Sequence, residues 1–342
     1  MARIQEILLG RNEKININTI IETNPWIVNE NMKCILSPDS DGLLCGLFMS
    51  HFFNWDIIGY YDGKVLLLKD GISCTDDDVC FLDMEIWREK IKSIGHHMVV
   101  FNKQRLPQNF YKGYTNCIQP NLLRNYDGNS EFRLKYPLAT IHFLISLLHL
   151  ERDINLPLTS ICPLLFTDGT YKVLFSYPEN VLNWLEYLDV TLSSTNPLKS
   201  IFLNEHYTIH GIMQDMDDFF RKRDEISISN ERGDRLRISN SDGTPVNINK
   251  IGSTYNIDAS AKDRITEFLT LLSVNTEWDF DVSKWTFNNL NLHIFVKGDY
   301  SNRNWRMNIS NFNQLLLENP ISWAMTSGNN IEFTLDPNKS LG

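Results

Sequence analysis

Two aspartates followed by a glycine stand near the start of the sequence, in the stretch CILSPDSDGLLCG. Asp39 and Asp41 lie one residue apart, and Gly42 follows directly. An apolar run precedes them, so their carboxylates are expected at the end of a buried strand. Carboxylates this close repel each other. The motif predicts either a turn that caps the following helix or a site for a hard divalent cation, whose preferred ligands are carboxylate oxygens.

Three further motifs supply acidic or imidazole side chains after apolar segments. Asp83 ends the run VCFLD, His96 and His97 follow KSIG, and Asp168 follows CPLLFT. Taken singly, the aspartates fit turns and the histidines fit a partly buried pair. Together, the four motifs offer the side chains that two adjacent Mn²⁺ or Mg²⁺ ions require to activate water for phosphoryl transfer.

Strands and helices alternate around these motifs. Strands are predicted at 32–36, 55–61, 64–68 and 76–85, a further strand begins at or borders 96–102, and helices are predicted at 42–53, 86–94, 136–150 and 178–188. This alternation is typical of an α/β fold with a doubly wound, mainly parallel sheet. Ligands of such sheets bind beyond the carboxyl ends of the strands. We therefore expect Asp39, Asp41 and Asp83 to meet at one edge of the sheet.

The character of the sequence changes after about residue 190. The predicted elements are a connecting helix at 205–225, a polar loop or hairpin at 226–256, helices at 260–273 and 310–318, and strands at 292–300, 303–309 and 330–336. We predict a main domain with a helical lead-in over 1–190 and a connecting helix and polar linker over 191–258. A second, smaller mixed α/β domain that binds substrate is predicted over 259–342.

Composition and charge restrict the kind of protein. The chain has 342 residues, 42% of them apolar, a formal net charge of -10, and six cysteines without C-x-x-C spacing. The charge argues against coating long nucleic acid with a basic face, and the cysteine spacing argues against a disulfide framework or zinc site. No apolar run is long enough for a membrane span, and the start lacks the apolar core of a secretion signal. We expect a cytoplasmic protein with no membrane partner.

The ordered motifs SPDSDG, FLDME, IGHHMVV and LLFTDGT resemble those of the DHH phosphoesterase superfamily, most nearly its RecJ-like branch of single-strand exonucleases. The resemblance covers about residues 32–190. It implies a hydrolase, namely a metal-dependent phosphodiesterase that acts on single-stranded or short nucleic acid or on a small nucleotide. It also implies two Mn²⁺ or Mg²⁺ ions that activate water.

The same resemblance implies roles for individual residues. The implied metal ligands are Asp39, Asp41, Asp83, His96 and Asp168. Asp83 would bridge the two ions and take part in catalysis, and His97 would contact the scissile phosphate as a catalytic and substrate-binding residue. Arg303 and Arg306, in the predicted second domain, could face the cleft and bind phosphate.

Two positions depart from the family pattern. Ile35 stands where the family has a metal-binding histidine, and Gly95 stands where its signature has the aspartate before the two histidines. A carboxylate that orients a ligating histidine is therefore expected to be missing, and one metal subsite is expected to be weak or empty. Two alternatives stay open. One is a catalytically degenerate DHH-fold protein that serves as a binding or assembly module, and the other is a haloacid-dehalogenase-type phosphatase with Asp39 as nucleophile and Asp41 as acid/base.

Overall fold

A computed structural model describes residues 4–227, 233–299, 309–326 and 330–341, with the backbone alone at 4, 5, 130–132, 309 and 310. Its strands are β1 (Lys33–Leu36), β2 (Asp56–Tyr61), β3 (Val65–Lys69), β4 (Val79–Leu82), β5 (Lys92–Ile94), β6 (Cys117–Ile118), β7 (Ile248–Ile251), β8 (Thr254–Ile257), β9 (Leu290–Ile294), β10 (Val296–Asp299), β11 (Ser322–Met325) and β12 (Ile331–Leu335). Its helices are α1 (Ile4–Leu8), α2 (Ile17–Thr23), α3 (Ser40–Phe53), α4 (Pro120–Leu123), α5 (Gly128–Glu131), α6 (Thr140–Leu148), α7 (Ile161–Phe166), α8 (Thr170–Ser176), α9 (Pro178–Tyr187), α10 (Lys199–Phe202), α11 (Ile209–Ile226), α12 (Ala259–Thr276) and α13 (Ile309–Leu317).

Among the described residues, the larger sheet has nine strands in the order β6-β5-β4-β1-β2-β3-β9-β8-β7. The strands from β6 to β2 pair in parallel, and the pairings from β2 outward to β7 are antiparallel. The antiparallel half begins where β2 and β3 form a hairpin over Asp62 and Gly63, because the φ of 83° at Gly63 suits the tight turn. The predicted α/β class is confirmed, but the sheet is mixed rather than mainly parallel.

The smaller sheet is antiparallel, in the order β10-β12-β11. It packs with α13 against the loop that follows β5, where the indole N–H of Trp323 donates to the carbonyl of Val99 at 2.9 Å. A second link joins it to the larger sheet, because the Thr334 hydroxyl donates to the carbonyl of Gly63 at 2.9 Å. The three strands lie within the range predicted as the second domain, but β9, from the same range, joins the larger sheet. The strand predicted over 303–309 lies outside the described residues.

Side chains alternate across β1 and separate two apolar clusters. Cys34 and Leu36 pack in the largest cluster, which includes α3, α6 and α12. Ile35 packs on the opposite face with Ile58 and Phe81, and among the described residues no helix contributes to that second cluster. The predicted winding of helices on both faces of the sheet is therefore not confirmed.

The helix predicted over 86–94 is wrong, because these residues form a loop that leads into β5. The amide of Ile86 donates to Ser93 Oγ at 3.1 Å, and the amide of Trp87 donates to the carbonyl of Ile321 at 2.6 Å. These bonds hold the segment against distant residues, so tertiary contacts override its apolar spacing. The stretch 96–102, predicted to begin or border a strand, borders β5, which ends at Ile94.

Other expectations agree with the structure. All six cysteines are free and buried. The hairpin of β7 and β8 forms within the polar stretch predicted as a loop or hairpin. The larger sheet takes β1 to β6 from the predicted main domain, β7 and β8 from the predicted linker, and β9 from the predicted second domain. The sheet thus continues across positions 190 and 258, and the domain boundaries stay a prediction.

Candidate metal centre

The aspartate–glycine motif begins α3 at the end of β1. Asp39 is the N-cap of the helix, and its carboxylate accepts the amide N–H of Gly42 at 3.3 Å. A Cβ at position 42 would lie 1.9 Å from the carbonyl oxygen of Ser37. Only glycine therefore lets the first turn of α3 close on the end of the strand, and this turn holds Asp39 and Asp41 beside the carboxyl edge of the sheet.

Asp41 is fully buried and caps a second helix. Its carboxylate accepts the amide N–H groups of Thr140 at 2.6 Å and of Ile141 at 3.1 Å, in the first turn of α6. Burial, with the charges of Asp168 and Asp39, raises the pKa of Asp41 to about 7. The predicted metal ligand thus uses both oxygens to hold α6 against α3.

Asp83 follows β4 and turns the chain with a left-handed backbone of φ 57°. Its side chain is 1% exposed, and one oxygen accepts the hydroxyl of Thr140 at 2.7 Å. The other oxygen, Oδ2, is buried without a hydrogen-bond partner among the described residues. Burial and the neighbouring carboxylates raise the pKa of Asp83 well above its usual range. A buried carboxylate oxygen without a donor is costly unless a proton or a cation reaches it.

His96 connects the strand-end carboxylates with Asp168. Asp168 follows the helix α7 rather than a strand, and its own backbone is left-handed. His96 Nδ1 lies 2.7 Å from the Thr140 hydroxyl and His96 Nε2 lies 3.1 Å from Asp168 Oδ2. Burial lowers the pKa of His96. Burial opposes the ionised form of Asp168, but His96 and His97 outweigh it and hold the pKa of that carboxyl below its usual range.

The hydrogen bonds around His96 require one positive charge more than ionised carboxylates and a neutral imidazole provide. Thr140 has one hydroxyl proton, and this proton goes to Asp83. His96 Nδ1 must then donate to Thr140, which leaves only a lone pair on Nε2 of a neutral ring. That lone pair would face a carboxylate oxygen of Asp168 at 3.1 Å. The cluster is therefore balanced only when it holds an additional proton or a cation.

His97 is the more exposed of the two histidines, with 34% of its side chain accessible. Its Nδ1 lies 3.6 Å from Glu85 Oε2 and 3.9 Å from Asp83 Oδ1. Burial lowers the pKa of His97, but the Glu85 carboxylate and the charges of Asp168 and Asp39 outweigh this effect and raise it to about 9. Glu85 itself is 1% exposed and accepts the amide of Met98 at 2.9 Å.

Glu85 is not among the predicted site residues, and Gly95 explains its position. A Cβ at residue 95 would lie 2.6 Å from Glu85 Oε2. The Glu85 carboxylate therefore occupies the space of a side chain at position 95 and stands beside His97. Another residue thus places a carboxylate beside His97, whereas the expectation concerned a histidine that binds metal. The sequence signal was an acidic residue two positions after Asp83, within FLDME.

Four side chains meet closely enough to hold a metal ion. Asp83, His96, His97 and Asp168 each offer a ligand atom, and these atoms lie within 4.8 Å of one another. Asp39 and Asp41 are not in this group, although Asp41 Oδ2 lies 3.9 Å from His96 Nδ1. Ile35 is fully buried in its apolar cluster. The predicted phosphate ligands Arg303 and Arg306 lie outside the described residues.

Comparisons of the chain with models of known protein families, with curated proteins and with solved structures found no match. Within the described parts of the chain, none of the helices has the length and apolar character that a membrane span requires. The likeness to DHH phosphoesterases therefore rests on the four ordered motifs, and we take it up as a proposal.

Proposed function

We propose that this protein is a metal-dependent phosphodiesterase of the DHH type that hydrolyses single-stranded or short nucleic acid or a small nucleotide. The observation that carries the proposal is the cluster of Asp83, His96, His97 and Asp168, whose ligand atoms lie within 4.8 Å of one another. Asp83 Oδ2, buried and without a donor among the described residues, is the expected state of a ligand oxygen that awaits a cation.

The placement of the motifs supports the DHH type. Asp39 and Asp83 follow the neighbouring parallel strands β1 and β4, and the histidine pair follows β5, which is next in the sheet. In the sheet, β1 has β2 on one side and β4 on the other. The site therefore lies where the strand order reverses. Ligands of open α/β sheets bind at this position.

The side chains divide the expected work. Asp83, His96 and Asp168 would hold Mn²⁺ or Mg²⁺, with Asp39 as a further carboxylate for a second ion. Such ions supply an acidified water and neutralise charge on a phosphate. His97 is partly exposed, and Glu85 favours its charged form, so His97 is suited to donate a hydrogen bond to a phosphate oxygen. Thr140 fixes the ring of His96 through a 2.7 Å contact.

A second candidate is a degenerate DHH-fold binding protein. The observation that favours it is Ile35, because its burial among apolar side chains leaves no ligand at the position where the family has a histidine. The haloacid-dehalogenase alternative lacks comparable support. It requires Asp41 as an acid/base, whereas the Asp41 carboxylate is fully buried and accepts two helix amides.

Metal binding and hydrolysis should be measured on the same preparations. Calorimetric titration with Mn²⁺ tests the site, and release of nitrophenolate from bis(p-nitrophenyl) phosphate tests the chemistry. His96→Ala should abolish both signals, whereas His210→Ala, an exposed histidine on α11, should change neither. Mn²⁺ binding without hydrolysis of this ester or of a short oligonucleotide would favour the degenerate protein. Full hydrolysis in excess chelator would exclude the proposed mechanism.

A further inference from the structure

Two cavities meet beside the metal cluster. The first cavity, of about 570 Å³, lies between the ends of β1 and β4 and the smaller sheet, and its wall includes Asp83 and His97. The second cavity, of about 430 Å³, lies beside the starts of α3 and α8, and its wall includes Asp168. Asp39 and Arg235 line both cavities. The cluster is therefore divided between two spaces, each large enough for a small organic group.

Arg235 stands at the boundary of the two cavities. Its side chain is exposed and makes no ion pair with a carboxylate of the described residues. The guanidinium group carries a planar set of donors that matches two oxygens of a phosphate. Arg235 is thus placed to contact a phosphate that reaches the metal cluster from either cavity.

The wall of the first cavity includes further cations. Lys64 donates to the carbonyl of Asn240 at 2.6 Å, and Arg237 donates to the side chain of Asn240, so both cations bond to neutral groups. The acidic Glu332 of the same wall is already paired with Lys297 at 2.6 Å. The wall has no surplus of positive charge, because it also includes four other carboxylates, those of Asp39, Asp62, Asp83 and Glu85. A phosphate would therefore depend on direct contacts with individual cations.

The second cavity offers an aromatic wall. Tyr171 and Phe166 line it, and Lys172 lies over the Tyr171 ring at 5.7 Å from its centroid. Aromatic rings next to a cation accept nucleobases by stacking, whatever the base. The two walls thus differ, because one is rich in charged and hydrogen-bonding groups and the other includes two aromatic side chains.

We propose that the site takes a phosphodiester with a nucleoside-sized group on each side of the scissile phosphate, one group in each cavity, and that Arg235 binds this phosphate. The inference rests on the proposed function and narrows its substrate class. A phosphate monoester or a pyrophosphate would leave one cavity empty, whereas two nucleosides joined through phosphate fill both. The contacts to phosphate would come from residues around 235–240, in the predicted linker, rather than from the predicted second domain.

The test compares a ligand that has a nucleoside on both sides of the phosphate with a ligand that has one nucleoside. The first probe is thio-TpT, the dinucleoside monophosphate TpT in which sulfur replaces one non-bridging phosphate oxygen to slow hydrolysis. The second probe is thymidine monophosphate. Each is titrated calorimetrically in the presence of Mn²⁺. Wild-type protein should bind the thio-TpT at least about tenfold more tightly than the monophosphate. Arg235→Ala should weaken both ligands by about tenfold or more. The control Arg221→Ala, an exposed arginine on α11, should leave both affinities unchanged.

Variants of each cavity wall separate the two nucleoside groups. Tyr171→Ala in the second cavity and Ala324→Phe in the first should each weaken thio-TpT binding, whereas the monophosphate should respond to at most one of them. Thermal melts and Mn²⁺ titrations of both variants show whether the fold and the metal site are retained. A longer oligothymidylate that binds more tightly than thio-TpT would identify the end of a strand as the source of the diester, and equal affinity would identify a free dinucleotide.

The proposal is overturned if wild-type protein binds thio-TpT and the monophosphate equally, or if Arg235→Ala keeps wild-type affinity for both. Titration with Mn²⁺ alone reports on the proposed function separately. If the protein binds Mn²⁺ but gives either of these results, the metal site stands and the proposed ligand with two nucleosides is wrong.

Discussion

Asp83 is the residue on which the metal assignment depends most. Its left-handed backbone places the carboxylate inside the cluster, and one oxygen stays without a donor among the described residues. The charges of Asp41, Asp39 and Asp168 act on it in the same buried volume. Without a cation, this arrangement costs stability, since clustered buried carboxylates repel one another.

Asp83→Asn should therefore abolish activity without loss of stability in the absence of metal. Asparagine tolerates the left-handed backbone and keeps an oxygen for the Thr140 hydroxyl, but it removes one negative charge. We expect apo stability equal to that of wild type, or higher by about 1 kcal/mol. The rise in melting temperature that Mn²⁺ gives the wild type should be absent. Thermal melts with and without Mn²⁺ measure both effects.

The control for this variant is Asp77→Asn, which removes a charge from an exposed loop and should change neither melt. A purely structural Asp83 would give the opposite pattern. Its loss would lower apo stability by about 1 kcal/mol and leave the Mn²⁺-induced stabilisation in place. That result would end the metal assignment for Asp83.

The Glu85 carboxylate and a side chain at position 95 cannot occupy the same space. Glu85 Oε1 accepts the amide of Met98, so its carboxylate cannot move away from a Cβ at residue 95 without losing that bond. Gly95→Ala should destabilise the protein by about 1–3 kcal/mol through overpacking. In a Glu85→Ala background the space is open, and the same substitution should cost little. Urea denaturation of the four proteins gives the coupling energy, which we expect to be about 1 kcal/mol or more.

A further variant, Glu85→Ala with Gly95→Asp, returns a carboxylate from position 95. If the group beside His97 matters for the metal site, this variant should bind Mn²⁺ more tightly than Glu85→Ala alone. Equal Mn²⁺ affinity in the two variants would show that Glu85 supports the fold rather than the site.

The first turn of α6 joins the cluster to the core. Asp41 caps the helix from α3, and the Thr140 hydroxyl lies between Asp83 and His96. His142 completes the turn, because its Nδ1 accepts the amide of Ala139 at 3.1 Å. His142 is fully buried, and burial lowers its pKa to about 4. The helix start is therefore built for a neutral imidazole.

The contribution of His142 to the free energy of unfolding should fall as the pH drops below the pKa of an unfolded histidine. In the unfolded chain His142 takes up a proton near pH 6.5, whereas the folded protein resists protonation until about pH 4. The stabilisation is complete above about pH 6.5 and is lost between about pH 6.5 and 4, to a limit of about 3 kcal/mol. Urea denaturation across this range measures the slope.

His142→Asn isolates this contribution, because its side-chain oxygen can accept the Ala139 amide without titrating. Its stability should be lower than that of wild type near neutral pH but should fall less steeply toward pH 4. His210→Asn, an exposed matched control, should keep the wild-type slope. The same slope in all three proteins would contradict the prediction.

Elements with a single local signal could be predicted from sequence, and elements set by distant partners could not. The runs that became β1, α3 and β4 have buried apolar residues bounded by turn residues, so the positions of Asp39, Asp41 and Asp83 followed. The loop at 86–91 has apolar spacing that also fits a helix, but its amides bond to Ser93 and to Ile321. Glu85 was missed for the same reason, since its burial depends on Gly95 ten residues later.

At the scale of the whole molecule, the sheet is completed by segments far apart in sequence. Among the strands from residues before 190, β3 lies at the edge of the sheet. In the full chain, β9 (Leu290–Ile294) pairs with this edge. On the helical face, α12 packs against α3. Neither pairing has a local sequence signal, because each joins residues about two hundred positions apart. The predicted boundary at 190 therefore cuts through both a sheet and a helix packing surface.

A fragment of residues 1–190 should not fold cooperatively by itself. It would expose the outer edge of β3 and the face of α3 that α12 covers, and unpaired edges and apolar faces promote aggregation. The full chain keeps β9 and α12, so it should show a cooperative thermal transition by circular dichroism. A cooperative transition of the short fragment, together with Mn²⁺ binding, would instead establish residue 190 as a true folding boundary. In that case the metal site would belong to an autonomous domain.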